Sequence, residues 1–176
     1  EGTSWRSVVL HAGVSSSIDT ALSGGVTYVA SSSNQKVHLS AIAANGSFVA
    51  TDITSHVPAP FGVALAARNS TLYLGVMESG TQVARVYQAS ATNLGRWTPL
   101  GGAVVSSATS ASLAVAGSRL FCATIDSVDA PVGLRSFALS ADAGNAGSSG
   151  NSGDGSSAGS STGETAGAWV KSGGCW

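Results

Sequence analysis

Residues 67–76 read ARNSTLYLGV, a polar turn followed by a short apolar strand that contains one aromatic residue. Comparable stretches occur at residues 22–30 (LSGGVTYVA) and 115–124 (VAGSRLFCAT). Their aromatic residues are, in chain order, Tyr28, Tyr73 and Phe121. These rings are 45 and 48 residues apart. Short strands that recur with a period in the forties are typical of β-propeller blades, which have four strands each.

Two further markers keep the same order along the chain. One is a second aromatic residue, recurring in steps of 43 and 49 residues. These rings are Trp5, Phe48 and Trp97. The other is a basic residue two positions before a ring. The pairs are Lys36 with His38, Arg85 with Tyr87, and Arg135 with Phe137. The three markers together predict a unit of roughly 45 residues that is repeated almost three times.

Each unit ends in a turn of constant chemistry, Asn or Asp followed closely by Gly. The residues are Asn45 and Gly46, then Asn93 and Gly95, then Asp142 and Gly144. Asn and Asp tolerate positive φ and hydrogen-bond to the local backbone, and Gly takes positive φ without a steric cost. The sequence therefore predicts a structural turn at each of these three places.

The stretches around these turns are SAIAANGSF, SATNLGRW and SADAGNAG, each of which begins with Ser. They resemble the Asp-box, the bacterial-neuraminidase repeat, whose pattern is approximately Ser-x-Asp-x-Gly-x-Thr-Trp. Over residues 4–147 the resemblance is degenerate: the middle copy has Asn93 where the pattern has Asp, and the last copy lacks the ring. The resemblance implies a propeller of the sialidase-like superfamily, with the box in a hairpin between the third and fourth strands of a blade. There the box has a structural role and not a catalytic one.

Composition also favours an all-β chain. Of 176 residues, 23 are Gly and only 10% are charged, and no long window has a helical apolar stripe. We predict a partial β-propeller of about two and a half to three four-stranded blades. Its boundaries are residues 1–142 for the blades (repeats at about 5–47, 48–96 and 97–142), 143–168 for a flexible Gly/Ser/Ala-rich linker, and 169–176 for a docking peptide or the start of a truncated element.

Three blades do not close a propeller, which normally has four to eight. Two explanations remain open: the chain is a fragment of a longer protein, which we favour, or several copies assemble into one ring. In both cases other protein chains, identical or different, or further parts of the same protein, complete the sheets or hold the tail.

We interpret the chain first as a non-catalytic scaffold for binding or assembly, which engages a protein partner or a glycan and needs no cofactor. The first alternative is a carbohydrate-binding propeller lectin, in which a ring contacts the sugar face and a basic residue its hydroxyls. Its candidate ligand-binding residues are Lys36, His38, Arg85, Tyr87, Arg135, Phe137, Trp5 and Trp97.

A second alternative comes from the Asp-box resemblance, because that superfamily includes sialidases and trans-sialidases. Such enzymes hold a substrate carboxylate with three arginines and use a Tyr nucleophile with a Glu and an Asp. This chain has six arginines, but none of them lies in a sialidase motif. We therefore assign no catalytic residue and expect hydrolase activity only if the chain is a fragment of such an enzyme.

The net charge is −1 and the basic residues are scattered, so nucleic acid is not an expected partner. The three histidines and two cysteines are far apart, so no metal site is predicted. No apolar run approaches the roughly 20 residues of a membrane span.

Three features favour a secreted or cell-surface protein. Asn45 and Asn69 each begin an Asn-x-Ser/Thr glycosylation sequon in a predicted turn. Cys122 and Cys175 are an even pair, and a disulfide between them would tie the tail to the third blade; a buried free Cys122 is the alternative. The Ser/Thr-rich linker is typical of segments that carry O-glycans.

Overall fold

The computed structural model describes Leu10 and residues 15–126, 131–139 and 168–171. These residues form twelve strands and one short 3-10 helix, Thr54–His56. The first eight strands are β1 (Ser17–Ser23), β2 (Val26–Ser33), β3 (Lys36–Ile42), β4 (Phe48–Asp52), β5 (Pro60–Arg68), β6 (Thr71–Glu78), β7 (Ala84–Ser90) and β8 (Asn93–Pro99). The last four are β9 (Ser110–Ala116), β10 (Arg119–Ile125), β11 (Val132–Ala138) and β12 (Val170–Lys171).

The strands form three four-stranded antiparallel sheets, and the predicted all-β class is confirmed. The first sheet has the order β1-β2-β3-β4, the second β5-β6-β7-β8 and the third β9-β10-β11-β12. Within each sheet, neighbouring strands follow one another along the chain. Tight turns make this possible: Gly24 and Gly25 join β1 to β2 with φ of 57° and 77°. Positive φ at both central residues matches the twist of a two-residue hairpin.

The second sheet is buried on both faces because it packs between the other two. Val63 and Leu65 of β5 belong to the core shared with the first sheet, and Ala64 and Ala66 belong to the core shared with the third. Alternation along a strand therefore divides its side chains between two cores. Each fully buried Val or Leu contributes about 1.5–3 kcal/mol to folding.

Hydrogen bonds also join the first strands of neighbouring sheets. Ser17 Oγ donates to the Val63 carbonyl at 3.1 Å, and the Leu65 amide donates to Asp19 Oδ2 at 2.8 Å. Ser23 Oγ donates to the Asn69 carbonyl at the end of the same pair of strands. Each of these bonds spans 46 residues. These bonds align β1 with β5 at the interface of the first and second sheets.

The C-terminal segment completes the third sheet. In the register of β11 and β12, Arg135 pairs with Lys171 and Ser136 with Val170. The Trp169 ring lies 5.3 Å from the Phe137 ring, and its Nε1 donates to the Leu100 carbonyl at 3.3 Å. The first residues of the predicted docking peptide therefore dock on their own chain. Of the predicted linker, residues 143–167 lie outside the described residues, as does 172–176 of the peptide.

Gly75 is the point where the second and third sheets approach most tightly at a backbone position. A Cβ there would lie 3.3 Å from Leu113 Cδ1 and 3.4 Å from the Ala64 Cβ. We predict that Gly75→Val lowers the free energy of unfolding by about 1–3 kcal/mol, because the added methyl groups overpack this core. Urea denaturation measures the change. Gly102→Ala is the control, since a Cβ there meets nothing within 4 Å; equal effects of the two substitutions would contradict the packing described.

Trp169 supplies most of the apolar contact that holds the C-terminal strand, since Val170 and Lys171 are exposed. We predict that Trp169→Ala destabilises the protein by about 1–2 kcal/mol, less than the value for a fully buried ring because Trp169 is half-buried. Hydrogen exchange of the β11 amides should accelerate at the same time. Lys171→Ala is the control; unchanged β11 exchange in Trp169→Ala would show that the segment does not hold this edge.

Candidate binding groove on the second sheet

An irregularity in β8 creates the most distinctive surface of the second sheet. Between β7 and β8, Gln88 pairs with Thr98 and Ser90 pairs with Asn93. One β7 residue, Ala89, therefore faces the β8 residues from 94 to 97. Such a bulge redirects side chains relative to regular pleating.

Trp97 anchors this bulge. Its ring is buried in the core between the first and second sheets, with 7% of its surface exposed, and its Nε1 donates to the Leu94 carbonyl at 2.9 Å. The indole therefore satisfies a backbone acceptor inside the bulge and fixes the position of its neighbour, Arg96.

Arg96 lines an open groove of about 350 Å³ on the second sheet. The lining residues are Thr71, Gln88, Ala89, Ser90, Arg96 and Thr98. Their placement follows from the register, since Thr71 pairs with Ser90 and Gln88 with Thr98. Residues that pair directly across antiparallel strands point to the same face. The groove is thus polar, with hydroxyl, amide and guanidinium groups from the side chains on this face.

Among the described residues, no charged group neutralises Arg96. Within the described part of the chain its guanidinium makes no hydrogen bond or ion pair. No Asp or Glu is among the lining residues. As far as the described residues go, the groove therefore presents one positive charge without an acidic partner, beside several neutral donors and acceptors.

The three predicted basic residues differ from Arg96, because each has an acidic partner. Lys36 Nζ lies 3.7 Å from Asp52, Arg85 Nε lies 2.7 Å from Glu78, and Arg135 Nη2 lies 3.6 Å from Asp126. The charges of these three cations are therefore already paired within the chain, although partly exposed pairs contribute only about 0–1 kcal/mol to stability.

Asp52 and Arg135 belong to small polar networks. Thr54 donates to Asp52 from both its hydroxyl and its amide, and these bonds, helped by Lys36 and His38, hold the pKa of Asp52 below its usual 3.8. Arg135 Nη1 donates to Thr124 Oγ1 at 2.8 Å.

The rings predicted to contact sugars are mostly in the cores. Tyr87 and Trp97 are buried in the core between the first and second sheets. Phe137 is buried in the core between the second and third sheets. Burial, with the Glu78 charge, raises the pKa of Tyr87 above its usual 10.0. Only His38 is half-exposed among these described residues. Trp5 lies outside the described residues.

The predicted turns have different outcomes. Gly46 has a φ of 83°, and Asn45 Oδ1 accepts hydrogen bonds from the Ser47 amide and hydroxyl at 2.9 and 2.7 Å. Asn93 and Gly95, in contrast, lie in β8, and the turn is at Ala91 and Thr92. These residues belong to the irregular part of β8, because Trp97 packs in the core and the segment before it pairs with β7. The third turn, at Asp142 and Gly144, lies outside the described residues.

Both sequon asparagines are exposed, as an acceptor must be. Asn69 has a φ of 51° in the β5–β6 turn. The Asn45 side chain is also engaged by Ser47, so glycosylation there would have to replace those bonds.

Within the described residues, Cys122 carries a free thiol on β10 that is buried in the core between the second and third sheets. The disulfide with Cys175 stays a prediction. Burial raises the pKa of the Cys122 thiol from 9.0 to about 12. Cys175 lies outside the described residues.

A scan against protein-family models finds no match for this sequence, and a search of curated proteins finds no relative. Among the described residues, no helix has the length and apolar character to cross a membrane. In the same part of the chain, no three His, Cys, Asp or Glu side chains cluster as metal ligands.

The residues that sequence reasoning missed are those of the groove, above all Arg96. Its signal was the Arg directly before a core Trp, combined with the long interval from Ser90 to Trp97. The bulge itself can be recognised only from the pairing of β7 with β8, which the sequence does not give.

We predict that Cys122 resists alkylation by iodoacetamide in the folded protein at pH 8, because the thiol is enclosed and its pKa of about 12 keeps the thiolate scarce. In urea without a reductant, the Cys122 peptide should become alkylated, as peptide mass spectrometry would show. If both cysteine peptides stay unmodified until a reductant is added, the disulfide with Cys175 exists after all.

Proposed function

We propose that this chain is a non-catalytic β-propeller segment, a scaffold whose outer two sheets bind further sheets of the same kind. One observation carries the proposal: equivalent rings point in equivalent directions, and among the described residues no sheet covers those at the two ends. No catalytic group or cofactor enters this function.

The second-strand rings face the following sheet. Tyr28 of β2 packs in the core between the first and second sheets, and Tyr73 of β6 packs in the core between the second and third. Phe121 of β10 lies on the face opposite Leu120 and Cys122, away from the second sheet, and is only half-buried. A further sheet on that side would cover Phe121 as the third sheet covers Tyr73.

The fourth-strand rings face the preceding sheet in the same way. Trp97 of β8 is buried against the first sheet with 7% exposure. Phe48 of β4 points away from the second sheet and has 39% exposure. A preceding sheet would bury Phe48 as the first sheet buries Trp97.

Other apolar side chains extend these two uncovered faces. On the first sheet they are Ile18 and Leu22, and on the third sheet Val132, Leu134 and Val170. Several exposed large apolar side chains on one sheet face favour an interaction site there. Sheets of similar curvature and composition fit it best, supplied by other protein chains or by further parts of the same protein.

The alternatives find less support in the same residues. A lectin that uses the repeated pairs needs exposed rings, but Tyr87 and Phe137 are buried and their neighbouring cations are ion-paired. A sialidase needs three arginines at one point, but Arg85 and Arg135 belong to different sheets and each contacts its own acid. We keep an extracellular location as part of the proposal because the two sequon asparagines are exposed.

The protein as isolated from its source tests the proposal by native and denaturing mass spectrometry. We expect a native particle larger than the 17.2 kDa of this chain, either as an oligomer or as a longer polypeptide. A mass of 17.2 kDa in both the native and the denaturing spectrum would contradict the proposal.

The outer face of the first sheet can be tested by one substitution. Leu22 is 69% exposed on that face and Val49 is 67% exposed on the opposite face of the same sheet. In the natural protein, we predict that Leu22→Lys dissociates the particle or lowers its free energy of unfolding by about 2–4 kcal/mol, because a charge is buried without a partner. Val49→Lys should change neither; equal behaviour of the two variants would show that no sheet covers Leu22.

A further inference from the structure

We propose that the groove beside Arg96 binds a uronic acid, a sugar whose carboxylate pairs with the Arg96 guanidinium. This site is distinct from the apolar faces of the proposed scaffold, and its binding does not depend on assembly. Four features of the groove support this ligand class.

The first feature is the free charge. The three basic residues on the third strands, Lys36, Arg85 and Arg135, have acidic partners at 2.7–3.7 Å, but Arg96 of β8 has none among the described residues. A guanidinium presents two parallel N–H donors that match the two oxygens of a carboxylate. An incoming carboxylate would complete the pairing that the chain itself provides elsewhere.

The second feature is an unsatisfied donor on the same face of the sheet. Arg68 is the direct cross-strand partner of Thr71, which lines the groove, so the two side chains share a face. Arg68 Nη1 is buried and has no hydrogen-bond partner within the described residues. A buried donor without a partner is costly, and it adds positive potential at the Thr71 end of the groove.

The third feature is the set of neutral groups around Arg96. The Thr71 hydroxyl and the Gln88 amide have no hydrogen-bond partner in the described part of the chain. Ser90 Oγ shares a bond with Thr92 Oγ1 at 2.8 Å and accepts one from the Thr92 amide at 3.3 Å, which leaves it one further donor or acceptor position. Hydroxyls and amides in this number suit a ligand that carries several hydroxyl groups.

The fourth feature is size and shape. A volume of about 350 Å³ is near the lower end for small-molecule sites, about 300–1,000 Å³. No aromatic ring lines the groove, so recognition would rest on polar contacts and not on stacking. Arg96 is the one cation among the lining residues, and its guanidinium fork fits a carboxylate, while Arg68 adds positive potential only at the Thr71 end.

Glucuronate and glucose form a matched pair of ligands, because they differ only in the oxidation state of C6. In an NMR titration of the ¹⁵N-labelled chain, we expect millimolar glucuronate to shift the amides of β7 and β8 to saturation. Glucose, and inorganic phosphate at equal ionic strength, should each need at least a tenfold higher concentration to produce half of the maximal shift. Equal binding of glucose would overturn the carboxylate contact, and equal binding of phosphate would show a general anion site instead.

Arg96→Gln is the decisive variant, since Arg96 is exposed and outside both cores. We expect it to weaken glucuronate binding at least tenfold, about 1.4 kcal/mol. Lys36→Gln makes the same change in net charge on the first sheet and should leave the affinity unaltered. Equal affinity in Arg96→Gln and the original chain, with unchanged spectra elsewhere, would overturn the site.

Discussion

Burial of the second sheet on both faces is the constraint on which the rest of the structure depends. Every strand of an ordinary exposed sheet can place polar residues on one side, but β5 and β6 must be apolar on both. The runs VALAA and LYLGVM meet that requirement, and small residues such as Ala64 and Gly75 let the third sheet approach closely. The two cores are therefore coupled through a single layer of backbone.

The same constraint positions the groove. Trp97 is held in one core, and its hydrogen bond to Leu94 stabilises a bulge that no regular strand would have. Arg96 is then left on a polar part of the sheet, and none of the residues that line the groove is acidic. Packing on one side of β8 thus determines which charge is available on the other.

The sequence predicted more of the architecture than of the site. The rings Tyr28 and Tyr73 were expected at equivalent strand positions, and they lie in the second strands of successive sheets. The Asn45 turn has the local hydrogen bonds that its chemistry favours. The candidate site was placed on repeated ring and cation pairs, but regular spacing is also what a packed core requires, and most of the described rings are buried.

By itself the sequence determined the strand-rich class and the chemistry of the Asn45 turn, because these depend on neighbouring residues and alternation. Only the tertiary structure decided that Asn93 and Gly95 belong to a strand, that Cys122 is enclosed between sheets, and that Trp169 returns to complete the third sheet. Those outcomes depend on contacts between residues far apart in the chain, and no local pattern encodes which of several apolar surfaces a ring will cover.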